Sequence, residues 1–188
     1  MRTLATLTLV ASLAAAPAVA TSISVRDLQG RIWTPLEPEP GVVHVLLFVM
    51  TDCPVSNGFA PEIARIAADY RSRRVQTFLT YVDPDITLAG LRKHSAEFYR
   101  DALPAIHDSR LTLADAAGAT VAPHAAVYTS NGRVYGGRVN DLYIDIGRRR
   151  RAPARHDLRD ALDAAQAGRP VVRASTQPVG CFIERPRR

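Results

Sequence analysis

Residues 42–62 read VVHVLLFVMTDCPVSNGFAPE. Val42–Met50 is an apolar run broken only by His44 and bounded by turn residues, the pattern of a buried central strand. Thr51-Asp52-Cys53-Pro54 ends it, and Ile63, Ile66, Ala67 and Tyr70 then recur at helical spacing. The reading is strand, sharp turn, helix, with Cys53 at the turn and Pro54 directly behind it. A thiol at a helix N-terminus meets unpaired backbone N–H groups and the positive end of the helix dipole. Both favour thiolate, the form that attacks a disulfide or a peroxide. Free cysteine is also among the most buried residue types. Its place at the turn favours a reactive Cys53 over an inert one.

The pattern continues outward in both directions. Val75–Val82 is a second strand, closed by Asp83-Pro84-Asp85, and a helix is expected from about Thr87 to Tyr99. An irregular stretch with Pro104, Ile106, His107 and Asp108 leads to a short helix over Leu111–Ala117. Ala125–Thr129 and Arg133–Arg138 flank Asn131-Gly132, the strongest hairpin signal in the chain. After a loop containing Arg148–Arg151, a helix is expected over His156–Ala167, with Gly168 as its C-cap. Upstream, Ser22–Thr34 alternates around Gln29-Gly30 as a short hairpin. The order β-α-β-α-(α)-β-β-α is that of one α/β domain with a central mixed β-sheet flanked by helices.

Composition narrows the classes. At 188 residues and 47% hydrophobic, the chain suits one domain with a real core and is too apolar for a disordered protein. Two cysteines are too few for a disulfide-framed mini-protein or a four-cysteine zinc site. The net charge is +6, carried almost wholly by arginine, with Lys93 the single lysine. Without interleaved aromatics this does not point to nucleic acid. Residues 1–20, MRTLATLTLVASLAAAPAVA, have the layout of a secretory signal peptide, with one early positive charge, an apolar run and a small-residue end. Cleavage is expected before Thr21, leaving no stable membrane span and an exported, periplasmic or secreted protein in which paired cysteines persist. The expected organisation is a signal peptide at 1–20, a domain at 21–169 and an extended C-terminal tail at 170–188 that carries Cys181.

Taken together, RDLQGR (26–31), FVMTDCPVSNGFAPE (48–62), LADAAGATVAP (113–123), NGRVYGGRVND (131–141), HDLRDALDA (156–164) and VGCFI (179–183) resemble the thioredoxin-like superfamily. More narrowly they are similar to its redoxin, or alkyl-hydroperoxide-reductase/thiol-specific-antioxidant-like, branch. The resemblance spans about residues 22–183. It implies a thioredoxin-like fold with Cys53 as nucleophile. It implies a cis-proline at Pro123 beside the active cysteine, so that Ala122 presents its backbone to a substrate chain in β fashion. His124 follows at once as a candidate proton relay; His107 and His44 are less well placed.

Departures from the family matter as much. The C-x-x-C pair of a dithiol thioredoxin is Cys53-Pro54-Val55-Ser56 here, so Ser56 cannot form a disulfide, although its hydroxyl can hydrogen-bond a Cys53 thiolate. Copper chaperones of the Sco type use C-x-x-x-C, and that fifth position is Asn57. Peroxiredoxins place a threonine three residues before the cysteine; Met50 stands there and Thr51 is one place late. Thr51, Ser56, Asn57 and His124 are therefore candidates for active-site support. No cofactor and no metal are expected.

In the fold so implied, the last helix starts at the active-site end and runs away from it for roughly 18 Å at 1.5 Å per residue. An extended tail from Gly168 to Cys181 spans up to ~43 Å, enough to return. Cys181 is the candidate resolving cysteine; a structural disulfide and an intermolecular bridge stay open beside it. The expectation is an exported thiol–disulfide oxidoreductase working on a disulfide- or peroxide-containing substrate with an external thiol reductant. A thiol peroxidase and a non-catalytic binding or copper-handling module are the alternatives. The arginines at 148–151 are expected at the active-site end, as a solvated loop or as a field acting on Cys53.

Overall fold

The computed structural model describes residues 22–185; the expected signal peptide lies outside them. The chain begins with β1 (Val25–Arg26) and β2 (Ile32–Trp33), an antiparallel hairpin in the expected place. Asp27 closes its turn, accepting from the backbone N–H groups of Gln29 and Arg31 and from Trp33 Nε1.

The central strand β3 (Val43–Val49) has six of its seven residues buried, which is why its sequence shows no alternation. It continues through the Thr51–Cys53 turn into α1 (Pro54–Arg71), then β4 (Val75–Tyr81) and α2 (Leu88–Tyr99). Thr87 caps α2 by accepting the Gly90 N–H. Next come β5 (Ala105–His107) and α3 (Thr112–Ala117), whose first turn is held by the Asp108 carboxylate accepting the Ala114 N–H. The strands β6 (Val121–Ala122), β7 (His124–Thr129) and β8 (Gly132–Gly137) follow, the last two joined at Asn131-Gly132 as expected. A second hairpin, β9 (Tyr143–Asp145) and β10 (Arg148–Arg149), precedes α4 (Asp157–Gln166), and β11 (Cys181–Phe182) ends the series.

The main sheet has the order β5-β4-β3-β7-β8, with β3, β4 and β5 parallel and β7 and β8 antiparallel. Alternating residues divide the core into two layers. Val45, Leu47 and Val49 face a layer with Ile63, Leu91, Leu158 and Leu162, so α1, α2 and α4 share one face. Leu46, Phe48 and Phe78 face Leu113, Ala117 and Ile183 on the other. Each such Val, Leu, Ile or Phe side chain contributes about 1.5–3 kcal/mol by leaving water. The sheet is the rigid platform from which the Cys53 turn projects.

Two elements replace expected irregular structure. The stretch around Ile106 is the edge strand β5, three residues long and too short to show periodicity; Leu79 N–H donates to the Pro104 carbonyl to start it. The loop containing Arg148–Arg151 folds back as β9–β10, a ribbon whose exposed Ile144, Ile146, Arg148 and Arg149 carry no inward pattern.

Noncovalent contacts fasten the tail along its length. Arg173 reaches the buried Asp157 at 3.4 Å. Gly136 and residues 174–176 exchange backbone hydrogen bonds (Gly136 N–H to Ala174 O, 2.9 Å; Thr176 N–H to Gly136 O, 3.2 Å). Finally β11 pairs antiparallel with β6.

Candidate active site

Cys53 is the N-cap of α1, in extended conformation, with Pro54 at the first helical position. Its sulfur accepts the Ser56 backbone N–H at 3.5 Å and stands 3.4 Å from the Ala122 carbonyl oxygen. It is joined to Cys181 in a disulfide, with Cα atoms 6.0 Å apart. Cys53 is 1% exposed, whereas Cys181 is only partly buried. The Ala122–Pro123 peptide is cis.

The tail is laid on this turn as an extra strand, with Cys181 opposite Ala122 and Phe182 opposite Val121. The edge of β6 therefore holds the chain's own tail where a substrate strand was expected. Gly180 makes the approach feasible: a Cβ there would lie 1.9 Å from the Ala122 carbonyl oxygen and 2.7 Å from its carbon. Sequence reading passed over Gly180, because nothing in VGCFI announces which backbone it must meet.

Around the turn runs a part-buried polar chain. Thr51 donates both its N–H (2.9 Å) and its hydroxyl (2.8 Å) to one oxygen of Asp83. Asn57 Nδ2 donates to the Thr51 carbonyl at 2.9 Å. That fixes Asn57 Oδ1 toward His94 Nε2, 2.9 Å away, so Nε2 carries the proton and Nδ1 accepts the Tyr81 hydroxyl at 3.1 Å. Burial pushes His94 below its usual range and Tyr81 above its own, so both are neutral partners. The network pins the Thr51–Asn57 turn to β4 and α2. His94 is a positioning residue that sequence reading missed; a histidine on an amphipathic helix carries no signal of its partner. His107 belongs to the same end, with Nε2 2.9 Å from the Asp83 carbonyl oxygen, while His44 contacts the Pro35 carbonyl at 3.0 Å.

Thr51, Ser56 and Asn57 are thus gathered at the turn, though not all in the manner expected. Thr51 and Asn57 brace the turn from below. Ser56 is fully buried, and its hydroxyl faces the Met50 N–H at 3.5 Å. It is the Ser56 backbone, not the side chain, that meets the sulfur.

His124 faces the other way. Strand alternation puts Ala125 on the α1 side and His124 with Ala126 on the α3 side, where its ring is edge-on to Phe48. It lines a cavity of about 210 Å³ with Arg133, Gly136, Thr120 and the tail residues Ser175 and Gln177. Burial, reinforced by the Arg133 charge, pulls its pKa down to about 4. The unfolded chain, with a histidine near 6.5, therefore takes up the proton first as pH falls, so stability drops between those values. The expected loss is about 2 kcal/mol between pH 7 and pH 5. His44 and His94 act in the same sense. Denaturant titrations of wild type and His124→Asn at both pH values isolate its share; equal pH slopes would refute it.

The arginine ribbon does lie at this end. Tyr143 of β9 packs its ring on Phe59 (centroids 5.1 Å apart), and its hydroxyl occupies the space over Gly58 in the first turns of α1. Arg150 turns back to Asp141, at 3.4 Å, while Arg148, Arg149 and Arg151 are exposed to solvent.

Among the described residues no group of three or more His, Cys, Asp and Glu side chains is placed to hold a metal ion. A cleft of about 620 Å³ between Gly41, Arg74, Asn131 and Arg169 lies at the opposite end of the sheet.

Solved structures share this architecture. An uncharacterized conserved protein from Geobacillus kaustophilus superposes with a TM-score of 0.74 at 21% identity, covering 90% of this chain and 91% of its own. A hypothetical protein from Sinorhizobium meliloti 1021 gives 0.71 at 23% identity, covering 89% and 92%. A thioredoxin-like protein from Aeropyrum pernix gives 0.51 at 17% identity, over 61% of this chain and 80% of its own. The fold is thioredoxin-like. No family model and no curated protein matches the sequence. Within this thioredoxin-like fold the N-capping Cys53 and the cis-Pro123 fall together as the resemblance implied, and the second sulfur comes from the tail instead of from α1.

Proposed function

We propose that this protein is a thiol–disulfide oxidoreductase whose redox pair is Cys53 and Cys181. The observation that carries the reading is the disulfide itself, made by an N-capping cysteine against the β6 edge. In the reduced protein, helix N–H groups favour the Cys53 thiolate. That thiolate attacks one sulfur of a substrate disulfide and the other sulfur departs as a thiolate. Cys181, as thiolate, then attacks the Cys53 sulfur; the substrate leaves with both electrons as its second thiolate, and Cys53–Cys181 closes. An external thiol reopens the pair. Export, expected from residues 1–20, would put the protein where such a disulfide persists. No helix among the described residues is long and apolar enough to cross a membrane.

The full chain is expected to speed insulin reduction by dithiothreitol, and Cys53→Ser to return the rate to background. Cys181→Ser should instead accumulate a mixed disulfide on Cys53. A wild-type rate equal to background defeats the proposal. Oxidation of reduced Cys53 by hydrogen peroxide far faster than that of free cysteine would move the assignment to a thiol peroxidase, with Cys53 passing through sulfenic acid and Cys181 condensing with it.

A further inference from the structure

The disulfide offers two sulfurs to an incoming thiol, and the two are not equivalent. This inference rests on the redox reading above and adds which sulfur exchanges with the outside. Cys53 is enclosed, at 1% exposure, between the start of α1 and the Ala122 carbonyl. Cys181 is partly exposed on a strand that pairs with β6 along one edge only. Its neighbour Phe182, on the opposite face of the strand, is 77% exposed, so no described residue packs over that face of β11.

Leaving-group chemistry points the same way. Attack on one sulfur expels the other, and the better-stabilised thiolate leaves faster. Cys53 has the Ser56 N–H at 3.5 Å and the helix N-terminus behind it, whereas Cys181 sits in a two-residue strand without a helix end. Access and departure therefore select the same event.

We propose that external thiols enter at Cys181, making the tail the arm that meets the reductant while Cys53 stays inside as the leaving thiolate. The steps balance. A thiolate R–S⁻ bonds to the Cys181 sulfur, and the electron pair of the broken S–S bond goes to Cys53. A second R–S⁻ attacks the R sulfur of the adduct, releasing R–S–S–R and the Cys181 thiolate. Two electrons have entered the protein from two thiols, and solvent supplies protons. Substrate disulfides meet Cys53 only after the tail strand has left β6, so the two partners use different sulfurs of one pair.

The test uses oxidised full-length protein and glutathione, with an acid quench at early times and peptide mass mapping. Singly modified protein is expected to carry glutathione on Cys181 in at least about tenfold excess over Cys53. An adduct mainly on Cys53, or no adduct on Cys181, overturns the assignment. The insulin assay separates this from the enzyme reading. Glutathione on Cys181 in a protein without turnover keeps the exchange site and discards the activity. Turnover with glutathione on Cys53 does the reverse.

Discussion

Reducing the Cys53–Cys181 disulfide is expected to destabilise the folded chain by about 5 kcal/mol, the chain-entropy value for so long a loop. The two residues are 128 apart in sequence, so the bond closes the chain from α1 to β11 into one ring. Opening it restores to the unfolded state the conformations that the ring forbids. At roughly 2–4 °C per kcal/mol for a domain of this size, the melting temperature should fall by about 10–20 °C. Urea and thermal unfolding with and without dithiothreitol measure this, and Cys181→Ser should reproduce the loss without reductant. A change below about 1 kcal/mol would mean that ring closure restrains little in the unfolded chain.

A valine at Gly180 should shift the balance between closed and open tail about a hundredfold or more toward open, corresponding to about 3 kcal/mol at the upper end of overpacking costs. The added Cβ would lie 1.9 Å from a backbone oxygen and 2.7 Å from a backbone carbon, with Pro123 Cδ at 3.1 Å. Neither backbone atom can rotate aside as a side chain would, so the tail must lift from β6. Equilibration in glutathione buffers of graded ratio gives the oxidised fraction directly. Gly180→Val should need a far more oxidising buffer than wild type to reach half closure, with Gly180→Ala between them. Equal midpoints would show that Gly180 does not pack on Ala122. Unlike loss of a cysteine, this substitution keeps both sulfurs and tests the strand that delivers the second.

Much of the frame was legible because the relevant forces are local. An apolar run broken only by His44 has no solvated face, so Val42–Met50 reads as a covered strand; a proline after Cys53 suits the first helical position. Asn131-Gly132 named its own turn. The redox branch suggested by resemblance is a finer matter, since what the comparisons share with this chain is the fold. His124 shows where adjacency misleads. It follows Pro123 directly, but one residue along a strand reverses the face, and its ring lies with Phe48 and Arg133 away from Cys53. The edge strand β5 and the ribbon β9–β10 escaped because short or fully exposed strands carry no period-two burial pattern.

Sequence alone determined that Cys53 sits at a strand-to-helix turn and that the tail is long enough to bring Cys181 back. Those facts follow from hydrophobic pattern, helix capping and chain length, which depend on near neighbours. Only the tertiary structure decided that β11 lies on β6, that Gly180 clears the Ala122 carbonyl, and that Asn57, His94 and Tyr81 brace the turn. These contacts join residues from 13 (Tyr81 to His94) to 61 (Val121 to Phe182) positions apart. They arise when packing strips water from polar groups and leaves each to find a partner from distant chain, which no local pattern encodes.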